Sequence, residues 1–132
     1  MSGTNRNWRQ RIDEARAEGL AAREYFVVFS DPAGDKQAVS DHLAEHLTFQ
    51  RRLEAEGKLV AAGPLSDETG TDWTGRGMIV LRAENLEAAR AIAEADPMHR
   101  AGARHYTILP WLMNEMSFTL TVSLAEGKVA FL

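Results

Sequence analysis

The chain has 132 residues, 45% of them hydrophobic and 26% charged, enough for one well-buried core and too few for two ordinary domains. Such a composition belongs to a soluble globular protein. A net charge of −4 argues against an extended basic face for nucleic acid, and the lack of cysteine excludes disulfides, thiolate chemistry and cysteine-based zinc sites. The opening run MSGTNRNWRQ has no apolar stretch of signal-peptide type, and nothing approaches the roughly 20 apolar residues of a membrane span, so a cytoplasmic location is expected.

Residues 4–24 alternate charge with Ala, Leu and Ile and predict a helix with Trp8, Ile12 and Ala15 inward, weakened at its end by Gly19. Tyr25 to Phe29 is aromatic and β-branched, a strand closed by the turn residues Ser30 to Gly34. A long helix is expected over 35–56, stopped by Gly57. Leu59 to Leu65 reads as a second strand, 66–74 as an exposed polar loop carrying Trp73, and Met78 to Leu81 as a third strand. Leu86 to Ala95 is a short Ala-rich helix with Asn85 as N-cap, and His105 to Leu109 a fourth strand closed by Pro110. Residues 118–124 and 129–132 are expected to pair as a hairpin.

From residue 25 this order is βαββαβ, the ferredoxin-like unit: an α+β fold with both helices on one face of a four-stranded antiparallel sheet. The chain is taken as a single domain over 1–132, with a core at 25–111, an N-terminal helical extension over 1–24 and a C-terminal β extension over 112–132. Met78-Ile79-Val80-Leu81 does not alternate apolar with polar, as a strand with one wet face would. Two helices cover one face only, so a second copy of the chain is expected on the other, giving a homodimer.

At 100° per residue, Val39, Leu43, His46, Gln50 and Leu53 share one arc about 80° wide, which should pack on the sheet. His46 lies near its centre and His42 at its edge. An imidazole buried there needs a partner, because leaving it unpaired costs on the order of 1–3 kcal/mol. A core histidine bonded to a backbone carbonyl is the plain structural alternative to a functional one. His42-Leu43-Ala44-Glu45-His46 also spells H-x-x-E-H, but a zinc protease of that type needs a larger domain and a distant third ligand, so no metal is expected.

Asp96 stands where a helix must break, since a residue before proline is pushed out of the α region. It can cap a short turn beginning at Pro97, and it can orient His46, because the two helices of a βαββαβ unit lie side by side. A carboxylate has oxygens for both. Gly63-Pro64 ends the second strand, and Arg76, between Gly75 and Gly77, is a candidate to hold an anionic substrate. His99 and His105 read as ordinary surface or strand residues. No phosphate-binding loop, dinucleotide fingerprint or nucleophile elbow is present.

The pattern His46-Leu47, Leu53-Glu54, Gly57-Lys58-Leu59 and Ala62-Gly63-Pro64-Leu65, then Ala95-Asp96-Pro97-Met98 and Pro110-Trp111, resembles the YCII-related (YciI-like) family over residues 25–111. That resemblance implies a ferredoxin-like fold dimerised through its sheets, the dimeric α+β barrel. It also implies a paired helix histidine and DP-motif aspartate, which map onto His46 and Asp96. One member of the family looks like a dehydrochlorinase of a chlorinated hydroquinone. The terminal extensions are departures from the family pattern.

The expected activity is therefore that of a cofactor-free lyase or isomerase, of dehydratase or dehydrohalogenase type. Its substrate would be a small, acidic, cyclic or aromatic organic molecule. His46 would act as general base and Asp96 would hold its tautomer, with Gln50, Gly63, Pro64 and Arg76 as substrate contacts. The alternatives are a small-ligand binding or accessory subunit, and a monooxygenase of the same barrel architecture.

Overall fold

The computed structural model describes residues 6–131. They form two compact units, residues 24–111 and the terminal segments on either side. In chain order the elements are α1 (Trp8–Ala17), β1 (Arg23–Pro32), α2 (Lys36–Ala55), β2 (Leu59–Pro64), β3 (Gly77–Leu81), α3 (Leu86–Ala95), α4 (Pro97–Arg100), β4 (Arg104–Met113), β5 (Leu120–Ser123) and β6 (Lys128–Phe131).

In the central unit the four strands make one antiparallel sheet in the order β2-β3-β1-β4, the ferredoxin-like arrangement expected from the sequence. Antiparallel register sets Phe26 opposite Leu81 and Val28 opposite Ile79. Because side chains alternate across a strand, these four share the inner face. They meet Phe49 and Leu53 of α2, Ala89 and Ala93 of α3, and Ile108 of β4 in the core. The small residues of α3 let that helix lie close to the sheet, while Phe49 fills the space under α2. Val27 and Val80, also opposite each other, point the other way with Phe29 and Met78. This explains why β3 does not alternate apolar with polar: apolar residues occupy both of its faces.

Local chemistry fixes the helix ends. Asp35 caps α2, its Oδ1 accepting from the backbone N–H of Gln37 at 3.0 Å and of Ala38 at 3.2 Å. Asn85 caps α3 by accepting from Ala88 N–H at 2.8 Å, as its position before the periodic run predicts. Strand ends differ from expectation, and β1 runs through Ser30 and Asp31 to Pro32. Pro110 does not close β4, which continues to Met113. β4 is an edge strand, so a residue without an N–H is tolerated where that side of the backbone needs no partner.

In the terminal unit α1 is shorter than the helix expected over 4–24, whose residues 4 and 5 lie outside the described region. Asn7 starts it by accepting from Arg9 N–H and Gln10 N–H, and Gly19, at φ +79°, leaves the helical region two residues beyond Ala17. A backbone hydrogen bond from Ala21 to Asn114 joins the two terminal segments. β5 and β6 pair as the expected hairpin, Val122 opposite Val129, with Leu132 outside the described residues.

Candidate active site

The helix break at Asp96 is where the site begins. Asp96 ends α3 and caps α4, with extended backbone (φ −62°, ψ 127°) and Pro97 in the first helical position. Its Oδ1 accepts from Met98 N–H at 2.9 Å, which satisfies one free donor of the short helix. The carboxylate is nonetheless almost fully buried, at 2% exposure, and a capping role alone does not require that. His46 does. Its Nδ1 lies 2.8 Å from Asp96 Oδ2 and 3.0 Å from Oδ1, bringing together residues fifty positions apart. A carboxylate only accepts, so Nδ1 carries a proton, and in the neutral ring the lone pair is then on Nε2. Nε2 has no hydrogen-bond partner among the described residues. The one carboxylate thus contacts both the Met98 N–H and the His46 ring, with Oδ1 near each.

The ring of His46 stands in the wall of a cavity of about 560 Å³. The cavity opens at one end of the sheet, where β1 and β2 finish and β3 and β4 start. Ser30, Gly63-Pro64, Gly75-Gly77 and Arg104 supply its floor, and the outward half of α2 its roof. This division of α2 departs from the sequence reading. The arc Val39, Leu43, His46, Gln50 and Leu53 does not pack on the sheet throughout: Leu53 is buried in the core, whereas Leu43 is 46% exposed and lines the cavity. The helix reaches past the core, so one continuous apolar face covers sheet at its C-terminal end and cavity at its N-terminal end. Trp73, from the loop between β2 and β3, forms part of the rim. Its indole is 63% exposed, with Nε1–H donating to Arg76 O at 2.8 Å.

At the floor lies a second polar cluster, which sequence reasoning missed. Ser30 is buried at the end of β1, its Oγ 2.8 Å from His99 Nε2 and 2.9 Å from Arg104 Nε. The proton positions follow from donor counting. Arg104 can only donate and the carbonyl of Ala93, 2.8 Å from His99 Nδ1, can only accept. His99 therefore holds its proton on Nδ1, and the Ser30 hydroxyl donates to Nε2. Burial pushes the His99 pKa below its ordinary value, consistent with this neutral form. Arg104 also donates through Nη2 to Ser30 O and Gly75 O. A signal was present in the sequence: Phe26, Val28 and Ser30 share the inward register of β1, and Arg104, Tyr106 and Ile108 that of β4. A hydroxyl and a guanidinium on inward positions require a polar purpose.

Of the other expected site residues, Gln50, Gly63 and Pro64 line the cavity with His46. The Oε1 of Gln50 is buried and accepts no hydrogen bond. Arg76 is a correction. It lies outside the cavity wall, its guanidinium 4.7 Å over the ring of Phe29 and 3.6 Å from Asp31, because the flanking Gly75 and Gly77, not Arg76, present backbone to the cavity. His42 is not in the wall, and His105 is exposed. His99, expected at the surface, is partly buried in the cluster above. Among the described residues no three His, Asp or Glu side chains converge as a metal site would require. No helix among them is long and apolar enough to cross a membrane.

A ferredoxin-like sheet carries a buried carboxylate hydrogen-bonded to a histidine in the wall of a cavity, the frame of a small α+β protein. The model of the YCII-related domain matches residues 23–112, and the chain belongs to that family. Among its relatives, the uncharacterized protein YjpA of Bacillus subtilis (strain 168) is 39% identical over 75 residues, 57% of this chain and 81% of YjpA. Protein YciI of Escherichia coli O6:H1 is 31% identical over 93 residues, 66% of this chain and 94% of YciI. A similar solved structure is 5-chloro-2-hydroxyhydroquinone dehydrochlorinase (TftG) from Burkholderia phenoliruptrix AC1100, in complex with 2,5-dihydroxybenzoquinone. It matches with a TM-score of 0.53 and 27% identity, over 67% of this chain and 93% of TftG.

Proposed function

We propose that this protein is a lyase or isomerase that needs no cofactor and works by proton transfer at His46 on a small cyclic or aromatic organic molecule. The observation that carries the reading is the pair itself. Nδ1 of His46 is held by Asp96 at 2.8 Å while the ring stands in the wall of a cavity large enough for such a molecule. Nε2 then acts as general base toward an acidic C–H or O–H of the substrate. Asp96 fixes the tautomer beforehand and stabilises the imidazolium that forms. The proton returns to another substrate atom in an isomerisation, or a leaving group departs from the adjacent carbon in an elimination. The dehydrochlorinase activity in the name of TftG, and the quinone bound to it, support the second route. Gln50 and the Gly63-Pro64 backbone are the proposed substrate contacts.

The homodimer belongs to the same reading. On the outer face of the sheet Phe29, Leu109 and Trp111 border an apolar groove of about 330 Å³, the surface through which a second copy would pair.

The test is turnover of halogenated hydroquinones and hydroxyquinones, followed by halide release and by deuterium exchange at substrate C–H positions. His46→Gln should lower the rate by about 100-fold or more while circular dichroism stays unchanged. Binding of such compounds with neither halide release nor exchange would instead make the protein a ligand-binding subunit.

A further inference from the structure

We propose that Arg104 is the anion hook of this cavity, so that the molecule acted on is an organic acid presenting a carboxylate or similar oxyanion on an apolar body. The inference rests on the reading of the His46 cavity as the active site and names its substrate class.

Arg104 is partly buried at the cavity floor, and burial pushes its pKa below the ordinary arginine value. A cation withdrawn from water normally has a carboxylate against it. Arg104 has none: its three hydrogen bonds, from Nε to Ser30 Oγ and from Nη2 to Ser30 O and Gly75 O, all go to neutral acceptors. Asp31 and Asp96 act on it only from a distance, and each is engaged elsewhere, Asp31 with Arg76 and Asp96 with His46. Both N–H groups of Nη1 have no partner among the described residues.

Two features make this a built site. The Ser30 hydroxyl proton is committed to His99, which is in turn fixed by the Ala93 carbonyl, so the lone pair of Oγ is turned to Arg104. Gly75, whose carbonyl takes the other bond, sits at φ +95° with the Pro32 ring only 2.5 Å from where a Cβ would be, so the acceptor is held in place on both sides. The guanidinium is thus pre-oriented, and ordering it on binding costs little. Elsewhere the wall is mainly apolar, with Val39, Leu43, Leu47 and Ile79. A wall of this kind with one fixed cation and one base takes an amphipathic anion.

Thermal shift and calorimetric titration with benzoate and cyclohexanecarboxylate, each against its primary amide, test this on the whole chain. The wild type should bind the acids about tenfold or more tighter than the amides. Arg104→Met should erase that preference without weakening the amides, and Arg104→Lys should retain part of it. His46→Gln should leave it intact. Equal binding of acid and amide by the wild type overturns the proposal, as does absence of acid binding at millimolar concentration. So does a preference that survives Arg104→Met; the wild-type comparison stands even where that variant does not fold. Undiminished turnover in His46→Gln would instead sink the general-base reading and leave the Arg104 result standing.

Discussion

Asp96 bears two duties, and substitutions at this one residue can separate them. Asp96→Asn keeps an acceptor for Met98 N–H, so the cap survives. The amide's N–H group would then face His46 Nδ1 and force the ring proton onto Nε2, where the proposed general base needs its lone pair. We expect an intact fold, a tautomer switch visible in ¹⁵N NMR of the imidazole, and turnover reduced by about 10²–10⁴-fold. Asp96→Ala removes cap and partner together and should cost about 1–3 kcal/mol of stability in urea melts. Equal loss of stability in both variants would count against the division of labour. The dyad shows how far a single residue can be read: proline next to Asp96 announces the cap, whereas the histidine it meets is fifty positions away.

At the scale of elements, α2 and the turn α4 explain how the site is held. α2 is anchored at its C-terminal end by Phe49 and Leu53, so Leu53→Ala should destabilise by about 2–5 kcal/mol, read from denaturant midpoints. α4 has only four residues, and His99 ties it to the end of β1 through Ser30. That tie depends on pH. His99 has a folded pKa below its ordinary 6.5, so the unfolded chain takes up the proton first. Its stabilising contribution is complete above that value and is lost as pH falls through the lower folded value. Urea melts should therefore show the wild type losing stability on acidification, and His99→Gln losing less over the same range. An identical pH slope in the two proteins would remove His99 from the account.

For the whole molecule the sheet is the organising object, with a helical face and an outer one. The apolar groove on the outer face includes Leu109, 58% exposed, and Trp111, 41% exposed. A homodimer formed there should appear in light scattering at micromolar concentration. Leu109→Glu would place a charge in the middle of that contact and should yield a folded monomer. A wild-type monomer would leave the outer face without the partner we propose. The family relationship extends over both faces, since the matched residues 23–112 include all four strands but for Met113 at the end of β4.

Sequence alone determined the order of the main elements, the caps at Asn85 and Asp96 and the phase that turns His46 inward. Each of these follows from interactions within a few residues: Asn85 finds its N–H three positions on, and Pro97 acts on its immediate neighbour. Inward phase did not say what lay beneath the helix. Whether an apolar stripe meets sheet or open space depends on how far α2 overhangs the strands, and only the packed structure decided that Leu53 is core and Leu43 cavity wall. The cation proposed for the site was decided the same way. Arg76 has the suggestive glycines in sequence, yet Phe29 and Asp31 hold it aside. Arg104 reaches the cavity because β4 starts beside the end of β1, a neighbourhood created by strand pairing rather than by chain proximity.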